Sequence, residues 1–414
     1  MRLQRLRRLT ITGCVGVVAI LATACGGGGT SQASPSPVTV PSDLSISSFD
    51  VNFTYMPKLK DLVTAGHGMV GVVLPDTTTS ARYIAYDLPF LKQAFTGAGY
   101  SSTQFKIDNA QGQEQQELAL AQADITAGAT VLIMDPQNSS VGSAIQAYAQ
   151  SHGVKIISYD RATFTGTNTY YVSFDNVNVG KLIGKGFMDC VTAWGVKNPK
   201  VFTLNGGENS DPNAIDFAKG YNSVIWGDSV AQETVGKTNT AGMTLVGDQV
   251  ATDWKNNIGG TIFQQQFTAH SNINATVEAN DGLGNAVIQV LKNNHIKAKT
   301  IPTTGQDATL DGMVNTLAGY QCGSVYKAIY LEAQAAVALA TVLRAGAAVP
   351  TALVNGTTSP PTGVNGTAQP ASLLVPTWVN TTNMEATVIK DKFIDVAALC
   401  SKVGASVCTA SGIS

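Results

Sequence analysis

Positive charge is scarce in this sequence and almost never clustered. Of 414 residues, 26 are lysine or arginine and 28 aspartate or glutamate, so 13% are charged. Arg2, Arg5, Arg7 and Arg8 crowd the start, and no basic cluster follows them. Without a basic stripe there is no electrostatic footprint for nucleic acid, and that partner class is excluded. Histidine is rarer still: His67, His152, His270 and His295 lie far apart, and the cysteine spacing matches no zinc site, so no metal is expected. The motifs G-x-S-x-G and H-E-x-x-H are missing. Gly282-Leu283-Gly284 follows an apolar run, but Val287 stands where a dinucleotide fingerprint needs Gly or Ala, so no cofactor is expected either. Past the first residues no run of eighteen apolar positions occurs. Leu331–Val349 comes nearest, but Glu332, Gln334 and Arg344 interrupt it, and it reads as a helix with a buried face.

The start of the chain is different. Met1–Arg8 is basic, Leu9–Ala24 is apolar except for Thr10, Thr12 and Gly13, and Leu21-Ala22-Thr23-Ala24 leads into Cys25. That is the charged head, apolar core and small-residue cleavage site of a signal peptide, expected over 1–24. The apolar run, about 16 residues, is shorter than the ~20 that span a bilayer. Cys25 sits where a bacterial lipobox places its lipidated cysteine, although Ala22 occupies the usual leucine position. Residues 25–65 are expected as lipidated cysteine and tether, opening with Gly26–Gly29 and a Ser/Pro/Thr-rich stretch. The expectation is an extracytoplasmic lipoprotein, held by its N-terminal lipid to the outer face of the cell membrane. Losing the signal leaves 22 basic against 28 acidic residues, a balance of −6. Cys190, Cys322, Cys400 and Cys408 then remain, and outside the cytoplasm they permit disulfides in three pairings. Cys400–Cys408 is the favoured pair, because it ties down the C-terminal tail.

From Gly68 onward, apolar β-branched runs alternate with amphipathic stretches of helical length. Strands are expected at Met69–Leu74, Gln104–Asp108, Thr130–Met134, Lys155–Tyr159, Lys200–Leu204, Met243–Gln249, Ala275–Ala279 and Thr300–Thr304. Helices are expected at Ala81–Gly97, Gln113–Ala127, Val141–Ser151, Val179–Trp194, Ala214–Trp226, Trp254–Thr268, Leu283–Asn294 and Leu310–Ala318. Two such series mean an α/β protein with two doubly wound parallel-sheet lobes. Ser173–Phe174, Val325–Tyr326 and Leu373–Pro376 lie between the series and read as three hinge crossings. The expected division is 66–174 plus 327–374 for the N-terminal lobe and 175–326 plus 375–400 for the C-terminal lobe, with 401–414 as a tail. Thr351–Ala371 is expected to form a surface loop.

Ligands of open parallel sheets bind beyond the carboxyl ends of the strands. Here those ends carry Pro75-Asp76, Asp135 to Asn138, Asp160-Arg161, Asn205 to Asn213, Asn280-Asp281 and Gln306-Asp307. Helix capping accounts for many of these singly. Arg161 and the doubled polar steps exceed what capping needs, and Trp254 adds an aromatic at the same rim. Carboxylates and amides beside Arg and Lys donors suit hydroxyls that both give and accept hydrogen bonds. A flat aromatic suits the C–H face of a pyranose.

Seven ordered markers give these features a family. They are Tyr159-Asp160-Arg161, Ser173-Phe174-Asp175-Asn176, Gly206-Gly207, Val246-Gly247-Asp248-Gln249, Gly305-Gln306-Asp307-Ala308, Val325-Tyr326-Lys327 and Thr387-Val388-Ile389-Lys390-Asp391. Through them Gly68–Phe393 resembles the ribose/galactose-binding family of periplasmic proteins that serve bacterial ABC sugar uptake. The resemblance implies a type I periplasmic binding protein fold and a monomer without enzymatic activity. It also implies a monosaccharide ligand, D-xylose or a close pyranose relative, handed to an ABC importer permease. The sugar-contacting positions it implies are Arg82 with Tyr83 beside it, Arg161, Asp211, Asn213, Trp254 as the stacking ring, Asn280, Asp307 and Lys327. Tyr83 and Val250 replace family tryptophans, and the loop Pro75–Ala81 differs in length. Two competing readings are a surface glycosidase using Asp211 and Asp307 as its carboxylate pair and a sugar sensor feeding a chemoreceptor or kinase. Against the first, Arg and Lys neighbours keep both acids ionised, whereas hydrolysis needs one protonated.

Overall fold

The computed structural model describes residues 38–77, 80, 82–167, 169–207, 211–362 and 364–413. The signal peptide and Cys25 lie outside the described residues. In chain order the strands are β1 (Met69–Leu74), β2 (Phe105–Asn109), β3 (Ala129–Met134), β4 (Lys155–Tyr159), β5 (Thr169–Phe174), β6 (Lys200–Gly206), β7 (Thr244–Ala251), β8 (Ala275–Glu278), β9 (Ser324–Tyr326), β10 (Gly356–Thr358), β11 (Gln369–Leu374) and β12 (Thr377–Val379). The α-helices are α1 (Lys60–Ala65), α2 (Leu88–Ala98), α3 (Glu114–Thr126), α4 (Ser139–Ser151), α5 (Asn176–Ala193), α6 (Pro212–Ile225), α7 (Asn256–Ala269), α8 (Asp281–Asn293), α9 (Leu310–Leu317), α10 (Ile329–Arg344), α11 (Val396–Val403) and α12 (Ala405–Ala410).

The first sheet runs β10-β11-β5-β4-β3-β1-β2, all parallel except β10 at its edge. The second is β7-β6-β8, also parallel. In each, the first strand lies between the second and the third, so the topology reverses there and opens a crevice at the carboxyl ends. Val70 to Leu74 and Val131 to Met134 are buried on both faces, which is why these strands are continuous apolar runs and do not alternate. Polar residues at the strand ends close the helices that follow. Asn138 accepts from the N–H groups of Ser140 and Val141, Asp175 from Asn178, and Asn280 from Leu283.

Two apolar cores result, one around β1, β3, β4 and α10, the other around β6, β8, α5 and α6. The chain passes between them after β5, between β9 and α10, and between β11 and β12. The Asp175 N–H donates to the Leu374 carbonyl (3.2 Å), joining the first passage to the third. β9 pairs antiparallel with β12 beside the second. Among the described residues no helix is long and apolar enough to cross a membrane.

The expected elements differ in several places. The expected flexible tether over 25–65 is folded from Val38 onward: Lys60–Ala65 is helical, and Leu44, Met56, Leu59 and Leu62 pack into the first core. Thr169–Phe174, of which only Ser173–Phe174 was expected and that as a crossing, is a full strand of the first sheet, and the expected tail 401–414 carries α12 with Cys408 buried. Thr300–Thr304 runs beside β8 but makes no ladder. Pro302 has no N–H to give, and the Thr304 N–H goes to the Glu278 carboxylate (2.7 Å). The stretch 351–371 is not all loop: β10 and the start of β11 extend the sheet from within it. The helix expected from Trp254 starts at Asn256, because Asp253 (φ 55°) and Trp254 (φ 59°) are left-handed. The apolar stretch from Leu331 is buried all round, not on one face, and ends at Arg344, whose guanidinium donates to the Gly68 (2.9 Å) and Val63 (2.7 Å) carbonyls. Cys400–Cys408 is bonded, and so is Cys190–Cys322.

Candidate functional site

The carboxyl ends of both sheets face one cleft. It is lined by Ser80, Arg82, Tyr83, Asp160, Arg161, Asn213, Phe217, Trp254, Asn280, Gln306, Asp307 and Lys327. Eight of the nine positions expected from sequence are among them.

Arg82 and Tyr83 open the helix after β1. Residues Tyr83–Asp87 form a π-helical turn, in which the Leu88 N–H reaches back to the Tyr83 carbonyl. The wide turn brings Asp87 to the Arg82 guanidinium, where the Asp87 carboxylate accepts from Nε and Nη2 (both 2.8 Å). Nη2 also donates to Glu332 on α10 (2.7 Å), and Nη1 to Asp160 (2.6 Å). Four of the five guanidinium N–H bonds are thus committed, leaving one on Nη1 for a ligand. The arginine is 1% exposed.

Asp160 ends β4 in a left-handed conformation (φ 57°), a placement that costs about 1–3 kcal/mol and has to be held by its surroundings. Those surroundings are dense. Its carboxylate accepts from Arg82, Lys327 (3.3 Å) and the Tyr83 hydroxyl (3.4 Å). Its carbonyl accepts from the Tyr171 hydroxyl (2.7 Å) and Asn213 Nδ2 (3.0 Å). Burial pushes the Asp160 carboxyl up, but Arg82, Lys327 and Arg161 together hold it well below the usual carboxylate range. Lys327 follows β9 and lies between Asp160 and Asp307 (3.4 Å). Arg161 donates to the Tyr83 hydroxyl (2.9 Å) and to the Pro136 carbonyl (3.2 Å), with Asp135 at 3.9 Å. The Tyr83 ring lies between the two guanidiniums, 5.6 Å from one and 5.7 Å from the other.

The other wall is mostly neutral. Trp254 rests on Gly206-Gly207. A Cβ at Gly206 would come within 1.9 Å of the indole, and Gly207 holds φ +70°. The Phe217 ring meets the indole edge-on at 6.2 Å. Asn213 Oδ1 accepts from Asn176 (2.9 Å) while its Nδ2 holds Asp160, so this α6 residue links the two walls. Asn280 caps α8 with its oxygen. Gln306 donates to Asp307, and its own buried oxygen has no protein partner.

Asp211 is the exception among the expected positions. It does not line the cleft. One carboxylate oxygen caps α6, accepting from Asn213 (2.9 Å) and Ala214 (3.2 Å), and the other accepts from Trp254 Nε1 (2.8 Å). Asp211 positions the indole, so Asp211 and Asp307 do not form a facing carboxylate pair. Ser80, Asp160, Phe217 and Gln306 line the cleft without having been singled out as ligand contacts. Asp160 and Gln306 each adjoin a residue that was, whereas Phe217 is one apolar residue within an apolar helix and gives no signal. Among the described residues no group of three or more His, Cys, Asp or Glu is placed to hold a metal.

The model of the periplasmic binding protein domain matches residues 70–348. The D-xylose-binding periplasmic protein of Escherichia coli is 32% identical over 288 residues, 69% of this chain and 80% of that one. The multiple sugar-binding periplasmic receptor of Rhizobium radiobacter is 28% identical over 334 residues, 79% of this chain and 90% of its own. Among solved structures, a carbohydrate transporter solute binding protein from Chloroflexus aurantiacus, in complex with D-glucose, superposes with a TM-score of 0.65 at 24% identity, covering 80% of this chain and 97% of that one. The matched relatives are binding proteins of transport, not enzymes. With its type I α/β architecture and a domain match over most of its length, the chain belongs to the periplasmic binding protein family.

Proposed function

We propose that the protein is an extracytoplasmic receptor that captures a pyranose monosaccharide, D-xylose first among them, and delivers it to an ABC importer. The observation that carries this reading is the pairing of walls in one cleft. Fixed charged donors and acceptors (Arg82, Asp160, Arg161, Lys327) face an indole and amides (Trp254, Asn213, Asn280). Hydroxyls need the first set and the C–H face of a sugar ring the second. The ligand contacts are Arg82, Tyr83, Arg161, Asn213, Trp254, Asn280, Asp307 and Lys327, with Asp160 added and Asp211 acting through Trp254. The names of the E. coli and Rhizobium relatives support a sugar.

Capture proceeds by hinge closure between an N-terminal lobe (66–174 and 327–374) and a C-terminal lobe (175–326 and 375–400), in a monomer. Lipid on Cys25 holds the receptor at the outer face of the membrane. The test is isothermal titration of the mature protein with xylose, glucose, ribose, arabinose and galactose. One-to-one xylose binding with Kd near ~1 µM, about −8 kcal/mol, is expected. Tight binding of another of these sugars corrects the ligand, and silence from all five refutes the sugar reading. Globomycin-sensitive processing of the precursor checks the anchor.

A further inference from the structure

The cleft continues beyond its inner cavity. Trp254 and Arg161, which line that cavity, also line a second, larger compartment that opens to solvent. Both sides of the cleft contribute to it: the segment after β1 and the start of α3 on one side, Asp253 and Lys255 on the other. Its character is set by side-chain amides, with Gln111, Gln113, Gln115 and Gln137 all on its wall. Gln113 stands at the N-cap of α3 but makes no capping bond with its side chain. Gln137 has its amide nitrogen pinned to the Pro75 carbonyl (3.1 Å). Lys255, the one cation here besides Arg161, is paired with Asp253 (2.7 Å), and Glu114 adds negative charge. An anion is therefore disfavoured. Neutral amides that donate and accept favour a hydroxyl-rich, uncharged ligand.

We propose that this outer compartment is a second sugar subsite, so that the protein takes a neutral disaccharide of pyranoses with one ring in the inner cavity and the other outside Trp254 and Arg161. The inference rests on the sugar reading above and extends it. Xylose, glucose, xylobiose and cellobiose are titrated into the mature protein and into a Gln113→Ala/Lys255→Ala variant. At least one disaccharide is expected to bind the parent with a Kd within about tenfold of its own monosaccharide. In the variant that disaccharide weakens by about fivefold or more while the monosaccharide is unchanged, a difference of about 1 kcal/mol. Monosaccharide binding without disaccharide binding overturns the subsite and leaves the sugar reading standing. Equal effects of the double substitution on both classes also overturn it. Silence from all four sugars overturns the subsite, and silence from ribose, arabinose and galactose as well overturns the sugar reading.

Discussion

The two walls of the cleft are made of different material. The wall built at the ends of β1 and β4 is a buried ion network, in which Arg82 alone meets three carboxylates. The wall built at the ends of β6, β7 and β8 offers an indole, a phenyl ring and amides. Buried charges hold only when partnered, so the first wall has to be complete before any ligand arrives. Rings and amides cost little to expose and little to cover, which is what the proposed closure asks of that side. Specific geometry comes from the charged wall, and in the proposed closure the neutral wall is the surface that moves. Asn213, reaching from α6 to the Asp160 carbonyl, is where the two meet.

The largest test of that difference is Asp160→Ala. It leaves Arg82 and Lys327 short of a buried counter-charge and should cost about 3–5 kcal/mol in denaturant unfolding, with sugar binding lost in titration. A loss under about 1 kcal/mol would mean the network is not prebuilt. Trp254→Ala attacks the neutral wall. There affinity should fall about 30-fold, roughly 2 kcal/mol, whereas Trp254→Phe, which keeps a ring but not the bond to Asp211, stays within about fivefold.

The smallest effect concerns a carboxyl on the neutral side. Burial pushes Glu278 up to about 8 from an ordinary value of 4.5, outweighing its hydrogen bonds from Thr304. Between those two values the folded chain holds a proton that the unfolded chain has released. This contribution to stability therefore falls as pH rises through that window. Melting temperatures of parent and Glu278→Gln should coincide at pH 5, and the variant should be about 1–3 °C higher at pH 8. Equal differences at both pH values would show that Glu278 is ionised in the fold.

Sequence periodicity located β1 to β4, β6 to β8 and helices α2 to α10, because fully buried parallel strands are written as plain apolar runs, but it did not mark β5 or the strands from β9 to β12. It failed at Thr300–Thr304, where a side chain, Glu278, takes the N–H that a ladder would use. Within the cleft, residues at strand ends were legible because the topology sends every parallel strand's carboxyl end to the same place. The supports behind them were less so. Asp87 sits on a π-helical turn that no spacing rule foretells, and Glu332 was visible only as an interruption in an apolar run. That interruption was the signal: a charge amid so much Ala, Val and Leu is tolerated only opposite a partner. Phe217 and the Cys190–Cys322 pair depend on long-range placement and left no local trace.

The helix bearing Glu332 also has a consequence for how the molecule is assembled in time. α10 fills the core beneath β1, β3 and β4, yet it is made from Ile329–Arg344, after the whole of the second sheet has been threaded. A chain stopped short of Ile329 has β1 to β5 with α2, α3 and α4, but lacks β10, β11 and the buried helix that fills the first core. The core that begins first is therefore completed only after the second sheet has been made. Such distant pairing is slow to find, and until that late segment arrives the apolar surface it covers stays exposed.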